Sequence, residues 1–339
     1  MTETKYWRAI NTALAEEMRR DERVVLIGQD VASPGGPFGA TKGLMKEFGP
    51  NRVRDTPISE GAVVGAAVGA AMAGLRPVVE VMFFDFITLA LDQLVNQAAK
   101  MAYMSMGHYS VPLTLRTMCG AGLGAGPQHS QNLEAWLAAV PGLKVVSPGT
   151  PAEAKGLLKA AIRDPDPVVV IESASLWSMK GEVIDDAEAV LPMGRAAVRR
   201  EGSDVTLVCW GSSVPGALEA AQILAEQGVE VEVIDLRTLN PLEKECVVRS
   251  VRKTGRLVVC QNAVTTCSIG SDLIRIVATA AHRSLRVAPE LVAPPFAPVP
   301  FPPGLERAYF PQQHDVVAAV HRALTEEPTW PRSSYPSGV

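Results

Sequence analysis

Short segments made almost entirely of apolar residues alternate along this chain with longer segments whose apolar residues recur at helical spacing. Residues 5–20 show the helical pattern, with Trp7, Ile10, Leu14 and Met18 along one side. The apolar segments of the first half lie at 24–28, 78–83, 111–116, 144–146 and 168–171, and helices are predicted between them at 92–104 and 151–162. A strand that is apolar along its whole length is buried on both faces, as in a parallel sheet between two layers of helices. The alternation therefore predicts an α/β fold.

The second half of the chain repeats this alternation on a smaller scale. Strands are predicted at 205–210, 229–235 and 256–260, and helices at 214–227, 243–253, 271–280 and 315–326. Prolines crowd the segment 288–304, which predicts an extended crossing segment because proline cannot donate a backbone hydrogen bond. A chain of 339 residues corresponds to about two domains. We therefore expect a first domain at 1–185, a linker at 186–203, a second domain at 204–326 and a loose tail at 327–339.

Charge and cysteine content narrow the functional classes. Lysine and arginine number 32 against 36 acidic residues, and no long basic run occurs, so nucleic acid is not expected as the main partner. The longest apolar stretch, 62–75, is too short to cross a bilayer, and the polar N-terminus predicts no signal or transit peptide. The cysteines form no Cys-x-x-Cys pair, which favours reduced, mostly buried thiols in a cytoplasmic protein. They are Cys119, Cys209, Cys246, Cys260 and Cys267.

A glycine-rich loop follows the predicted strand at 111–116. Its glycines are spaced every second residue from Gly120 to Gly126. A dinucleotide-binding fingerprint needs a third glycine three residues after the second, and that position falls on Ala125 or Pro127 here. The spacing therefore disfavours a nicotinamide or flavin dinucleotide site in this loop.

A helix rich in glycine and alanine is predicted from Glu60 onward, with Ser59 as its N-cap. Gly61, Gly65 and Gly69 recur every four residues and predict a flat side against which another backbone packs closely. Glu60 has two interpretations. It is either an acid in the first helical turn, favourable to the helix dipole, or a carboxylate held in an apolar cleft to share a proton with a ligand nitrogen. The residue types alone leave both interpretations open.

His129 lies in a loop of hydrogen-bonding side chains. A lone loop histidine is either a structural or exposed residue, or a group that faces a substrate. Its neighbours Ser130 and Gln131 are equally suited to cap the helix predicted at 133–139.

One acid and several aromatic residues stand out on and after the strand at 78–83. Glu80 interrupts an apolar strand, and a buried acid requires a partner. Phe83, Phe84 and Phe86 surround Asp85, and such a cluster belongs either to the core or to the wall of a binding site.

Six segments resemble those of one known family, both in their amino-acid sequences and in their order along the chain. They lie at 55–60, 65–77, 82–86, 92–100, 128–131 and 141–146, and include Asp-Thr-Pro-Ile-Ser-Glu and Gln-His-Ser-Gln. The chain resembles, over about residues 5–325, the β subunit of the thiamine-diphosphate-dependent first component of 2-oxo acid dehydrogenase complexes. Pyruvate, branched-chain 2-oxo acid and acetoin dehydrogenases belong to that family.

The resemblance implies a transketolase-like fold, in which 1–185 is a pyrimidine-binding domain and 204–326 a smaller α/β C-terminal transketolase domain. It also implies roles for the candidate residues. Glu60 matches the carboxylate that hydrogen-bonds the aminopyrimidine of thiamine diphosphate. Phe86 matches the aromatic residue that stacks on the pyrimidine, with Ile58 and Met82 lining the same pocket. His129 matches the histidine that faces the substrate.

The resemblance further implies partners. Thiamine enzymes anchor the diphosphate through Mg²⁺ on a Gly-Asp-Gly motif, which is absent from this sequence. In the family an α subunit carries that half of the site, so we expect an α₂β₂ heterotetramer with β–β contact and no activity of this chain alone. Some members dock on a lipoyl acyltransferase core. Asp164 and Asp166 match a turn that holds a structural K⁺ in some members.

The expected activity is oxidative decarboxylation of a 2-oxo acid or cleavage of acetoin, with acyl transfer to lipoamide. The loop at 116–122 and the segment 88–90 resemble the pyruvate and acetoin members more than the branched-chain ones. Two alternatives remain open. One is a carboligase of the acyloin type without a lipoyl core, and the other is a non-catalytic partner subunit.

Overall fold

The computed structural model describes residues 1–32, 36 and 38–325, and the predicted tail at 327–339 lies outside them. The strands are β1 (Thr2–Lys5), β2 (Val24–Gly28), β3 (Val53–Asp55), β4 (Arg76–Phe83), β5 (Thr114–Cys119), β6 (Lys144–Val146), β7 (Val168–Ser173), β8 (Lys180–Val183), β9 (Ala197–Arg200), β10 (Val205–Cys209), β11 (Val231–Asp235), β12 (Thr238–Asn240), β13 (Leu257–Cys260) and β14 (Glu290–Val292). The α-helices are α1 (Tyr6–Arg20), α2 (Leu44–Phe48), α3 (Glu60–Met72), α4 (Ala99–Met104), α5 (Glu134–Ala138), α6 (Pro151–Arg163), α7 (Ser213–Glu226), α8 (Lys244–Thr254), α9 (Ile269–Ala280), α10 (Pro303–Tyr309) and α11 (Gln313–Thr325).

The first half of the chain builds a seven-stranded sheet in the order β12-β6-β7-β5-β4-β2-β3. Its pairings are parallel except for that between β12 and β6. Side chains alternate between two cores along β7: Val168 and Val170 pack with α1 and α6, and Val169 and Ile171 pack with α3 on the other face. The predicted parallel sheet, buried on both faces, is confirmed.

The second half builds a five-stranded sheet in the order β14-β13-β10-β11-β9, with β9 antiparallel to β11. The Pro-rich segment supplies the edge strand β14, in agreement with its predicted extended course, but its last two residues begin helix α10. Strand β9 lies inside the segment 186–203, and β12 returns from the second half to the edge of the first sheet. Strand β12 thus comes from the second half of the chain but belongs to the sheet of the first half. The boundaries of the two predicted domains stay a prediction.

Three local predictions need correction. Strand β1 was not predicted, because it and its antiparallel partner β8 are short and mostly polar and so lack the apolar signal. The strand predicted at 111–116 pairs only from Thr114, two residues after Pro112, which has no N–H to donate to a ladder. The helix predicted at 92–104 begins as a π-helical turn, Gln93–Ala98, and becomes α4 from Ala99.

The Gly/Ala helix α3 shows only part of the predicted close packing. A Cβ on Gly61 would lie 3.0 Å from the carbonyl oxygen of Leu89, so a backbone does approach there. A Cβ on Gly65 would meet the side chain of Gln93, and one on Gly69 would meet no described atom within 4 Å. Ser59 occupies the predicted N-cap position, but its side chain makes no capping hydrogen bond.

Four cysteines are buried and unpaired, and Cys267 is exposed and unpaired, as the sequence predicted. Among the described residues, no helix is both long and apolar enough to span a membrane.

Candidate active site

The predicted site residues lie on segments that follow the carboxyl ends of β3, β4 and β5, strands grouped with β2 on one side of the first sheet. Ligands of open α/β sheets bind beyond these carboxyl ends. Ile58 and Glu60 follow β3, Met82 is the last residue but one of β4, Phe86 follows β4, and His129 follows β5. The topology therefore gathers at one edge the residues that the sequence separates.

Glu60 lines a small cleft together with Ile58, Val63, Val81 and Met82. Its side chain is half-buried at the N-terminus of α3, where the helix dipole favours a negative charge. Within the part of the chain that the structure describes, no hydrogen bond or ion pair engages the Glu60 carboxylate. Polar side chains, among them Gln29 and Glu80, line the cleft as well, so the unshared carboxylate lies among both polar and apolar groups. Three of the predicted residues meet there.

His129 lies between two phenylalanines. Its ring centroid is 4.9 Å from that of Phe83 and 5.3 Å from that of Phe86, both in edge-to-face contact. The structure therefore brings the predicted pair Phe86 and His129 together and adds Phe83. Phe83 follows Met82 directly on β4, so this strand contributes a residue both to the Glu60 cleft and to the aromatic cluster of Phe83, Phe86 and His129.

Asp85 joins the loop after β4 to the loop of His129. One of its oxygens, Oδ1, accepts hydrogen bonds from the Gln131 side chain (2.7 Å) and backbone (3.3 Å), and Asp85 is only 5% exposed. The sequence singled out Asp85 only as a neighbour of the aromatic residues. A charged residue among phenylalanines was the available signal, because such a group has to be bonded when buried.

The predicted capping of α5 by Ser130 or Gln131 is wrong. Helix α5 begins after Leu133, which makes no side-chain cap, and Gln131 bonds Asp85 instead. The Ser130 hydroxyl is buried and has no partner among the described residues.

Glu80 has the partner that its buried position requires. The Arg116 guanidinium donates to Glu80 (2.7 Å) and, with two parallel bonds, to Glu172 (2.8 and 2.9 Å). Arg116 is 2% exposed, and burial raises the pKa of Glu172 while Arg116 opposes that shift. Glu80 also lines the Glu60 cleft, so one acid of this ion triad belongs to the wall of that cleft.

The glycine-rich loop binds an acid of the protein itself. The backbone N–H groups of Gly122 and Gly124 each donate, at 3.0 Å, to the carboxylate of Glu306 on α10. Glu306 was not identified from the sequence, since its partners lie more than 180 residues earlier in the chain.

Asp164 and Asp166 share the ammonium group of Lys144. Its Nζ lies 2.7 and 2.8 Å from the Asp164 oxygens and 3.0 Å from Asp166 Oδ2. The Lys144 ammonium already neutralises these two carboxylates, and the K⁺ site predicted at this turn stays a prediction. No group of three or more His, Cys, Asp or Glu residues suited to a metal occurs among the described residues.

Comparisons with known proteins identify the class. Residues 2–179 match the family model "Transketolase, pyrimidine binding domain", and residues 194–316 match "Transketolase, C-terminal domain". A solved structure titled "Split gene transketolase, inactive beta4 tetramer" is similar with a TM-score of 0.76 and 25% identity, covering 94% of this chain and 97% of that one. The molecule is a transketolase-like two-domain protein, and the predicted fold class is confirmed.

Its curated relatives narrow the family. The acetoin:2,6-dichlorophenolindophenol oxidoreductase subunit beta of Cupriavidus necator is 46% identical, over 93% of this chain and 96% of that protein. The mitochondrial pyruvate dehydrogenase E1 component subunit beta-2 of rice, Oryza sativa subsp. japonica, is also 46% identical (93% and 85% covered). The 2-oxoisovalerate dehydrogenase subunit beta of Bacillus subtilis is 43% identical (96% and 100% covered). The chain belongs to this family of β subunits of acetoin and 2-oxo acid dehydrogenases, and the resemblance seen in the sequence is confirmed.

Proposed function

We propose that this chain is the β subunit of an α₂β₂ thiamine-diphosphate-dependent dehydrogenase of the acetoin or pyruvate type. The complex oxidatively decarboxylates a 2-oxo acid, or cleaves acetoin, and transfers the acyl group to lipoamide. The observation that carries the proposal is the unshared carboxylate of Glu60 in the cleft it shares with Ile58 and Met82, together with the ring contact between Phe86 and His129.

The residues present fit the aminopyrimidine end of thiamine diphosphate. A ring of this kind requires one carboxylate for its nitrogen and apolar surfaces for its faces. Glu60, Ile58 and Met82 of the cleft supply the carboxylate and apolar groups, and we assign the second apolar surface to Phe86. When bound, thiamine diphosphate supplies a thiazolium carbon that becomes nucleophilic on losing its proton.

Each residue of the chain has a role in this proposal. Glu60 would share a proton with the pyrimidine nitrogen, and the charge on the carboxylate would strengthen this hydrogen bond. Phe86 stacks on the pyrimidine, while Ile58 and Met82 fix its position. His129 faces the substrate and donates a hydrogen bond or a proton to its oxygen.

The diphosphate end belongs to the partner subunit in this proposal. The sequence contains no Gly-Asp-Gly motif, and no metal-binding group of acids occurs among the described residues. The α subunit therefore holds the Mg²⁺ and the phosphates, and the tetramer also contains a β–β contact. Docking on a lipoyl acyltransferase core and a cytoplasmic location complete the proposal, and the unpaired buried thiols support a reducing compartment.

Replacing Glu60 by glutamine tests the proposal. In the complex with its α partner, Glu60→Gln should lower turnover of pyruvate or acetoin by about 100-fold or more, the usual minimum for a positioned proton-sharing group. The subunit composition, measured by native mass spectrometry, should not change. Glu245 provides a matched control, since it is an exposed acid in the first turn of α8, and Glu245→Gln should leave turnover intact.

The outcomes separate the alternatives. Unchanged turnover in Glu60→Gln would support a non-catalytic subunit, because an acid that serves only the helix dipole does not affect chemistry. Wild-type complex that forms acyloins but produces no lipoamide-dependent NADH with the core components present would instead support the carboligase.

A further inference from the structure

The glycine-rich loop (120–126) packs directly against the backbone of His129. A Cβ on Gly120 would overlap the carbonyl oxygen of His129 and lie 3.1 Å from the ring of Phe83, so the backbone contact there permits no side chain. The N–H of His129 bonds the carbonyl of Gly126 at 3.3 Å. The position of His129 therefore depends on the course of residues 120–126.

A residue from the second half of the chain, Glu306, binds the backbone of residues 120–126 and so stabilises the conformation of this loop. Gly122 (φ +97°) and Gly124 (φ +65°) have left-handed backbone conformations, and their N–H groups converge on one side. Converging amides of this kind form an anion-binding concavity. The Glu306 carboxylate fills it with one oxygen on each amide, and Glu306 is 3% exposed.

Apolar contacts around Glu306 hold the same loop. A Cβ on Gly126 would overlap the ring of Phe301, and Ala121 packs with Val299 and Phe310. Residues on both sides of α10 therefore contact the loop through apolar atoms, and Glu306 within α10 contacts it through a charged group. Charge-assisted hydrogen bonds are about twice as strong as neutral ones, and a buried carboxylate requires them.

We propose that Glu306 is a positioning residue for His129: its carboxylate occupies the amide concavity of Gly122 and Gly124 and so holds the histidine against Phe83 and Phe86. This inference rests on the proposed function for the role of His129. Glu306 contacts neither substrate nor cofactor, and it acts through the loop.

The test uses Glu306→Ala in the complex with its α partner. The substitution removes the atoms of one acetate ion, so added acetate can refill the concavity, whereas neutral acetamide cannot supply a second acceptor oxygen. The kcat should fall about tenfold to a hundredfold, the scale expected for a misplaced group, with KM nearly unchanged. Acetate should restore most of the lost kcat, and acetamide should not. Arg307→Ala, an exposed neighbour on α10, is the matched control.

A second readout does not depend on activity. With ¹³C-labelled histidine, the NMR signal of His129, identified by its loss in His129→Gln, reports the nearby rings of Phe83 and Phe86. It should move in Glu306→Ala, return with acetate and stay in place in Arg307→Ala. If Glu306→Ala does not assemble, Glu306→Gln replaces it without the acetate step: it keeps one acceptor oxygen and turns its NH₂ group toward the second amide, so the His129 signal should move in this variant as well.

The two readouts separate the two proposals. A wild-type complex without turnover would overturn the proposed function, and the NMR comparison would still decide whether Glu306 positions His129. A kcat and a His129 signal that match those of Arg307→Ala would overturn the positioning role, as would a loss of kcat that acetate does not repair.

Discussion

Glu134 is a buried carboxyl group with only one of its oxygens bonded. Trp210 donates its indole N–H to Oε1 at 3.2 Å, and Oε2 is buried without a partner among the described residues. The group borders a small polar cavity between the two halves, beside Ser147 and Asn262. Burial raises the pKa of Glu134 above its ordinary value of 4.5, although the bond from Trp210 opposes this.

This raised pKa predicts a pH-dependent difference between the wild type and Glu134→Gln. The folded state holds the Glu134 proton more tightly than the unfolded state, so this group makes the chain less stable as pH rises from 4.5 through the folded pKa. Glutamine does not titrate. The difference in the free energy of unfolding, Glu134→Gln minus wild type, should therefore increase across that pH range and stay constant at lower pH. Denaturant unfolding at several pH values measures the difference, and a difference independent of pH would contradict the prediction.

Single residues differ in how far the sequence reveals them. Glu60 and His129 could be selected because an acid at the start of an apolar helix and a histidine in a polar loop are chemically unusual. Glu306 could not, because an acid in a proline-rich region is ordinary until the fold brings Gly122 and Gly124 to it. Asp85 lies between these cases: its burial was inferable from its neighbours, but its bond to Gln131 was not.

Among the elements, those with an apolar signal were predicted and those that depend on a partner were not. Strands β4 and β7 are long and apolar, so they were identified close to their observed bounds. Strand β12 has three residues and exists only because β6 lies beside it. The local sequence of β12 gives no signal from which its pairing with the distant strand β6 could be predicted.

Helix α3 offers a prediction that uses two of its own glycines as a pair. A Cβ on Gly69 meets no described atom within 4 Å, so Gly69→Ala should stabilise the isolated chain by about 1 kcal/mol, the helix-propensity difference between the residues. A Cβ on Gly61 would lie 3.0 Å from the Leu89 carbonyl oxygen, so Gly61→Ala should lose that gain or destabilise the chain. Urea unfolding of both variants checks the contrast. Equal gains would show that α3 does not pack closely on Leu89.

At the scale of the whole molecule, ion pairs fix the two halves against each other. Glu153 of the first half is 1% exposed and binds Arg199 and Arg237 of the second half. The glycine-rich loop is held by α10 from the second half as well. The α/β class of each half could be predicted from the alternation of strands and helices. These contacts between the halves could not, because no pattern in the sequence indicates which distant residue a charged side chain pairs with.

No group of acids suited to a metal occurs among the residues that the structure describes, and the proposal that an α subunit holds the phosphates predicts how the purified chain behaves. Alone, it should turn over neither pyruvate nor acetoin, even with Mg²⁺ and thiamine diphosphate added, because its cleft supplies only the pyrimidine end. Co-purification with an α subunit should give a 2:2 assembly that carries Mg²⁺ and thiamine diphosphate in native mass spectra, and turnover should appear with that assembly.

The matched comparison is the same complex reconstituted with Glu60→Gln chain, which should have the same mass and little turnover. Turnover by the isolated chain would show that the phosphates are held without a partner, and the shared-site proposal would then be wrong. An active complex with its α subunit would support the proposal that the partner completes the site next to the Glu60 cleft.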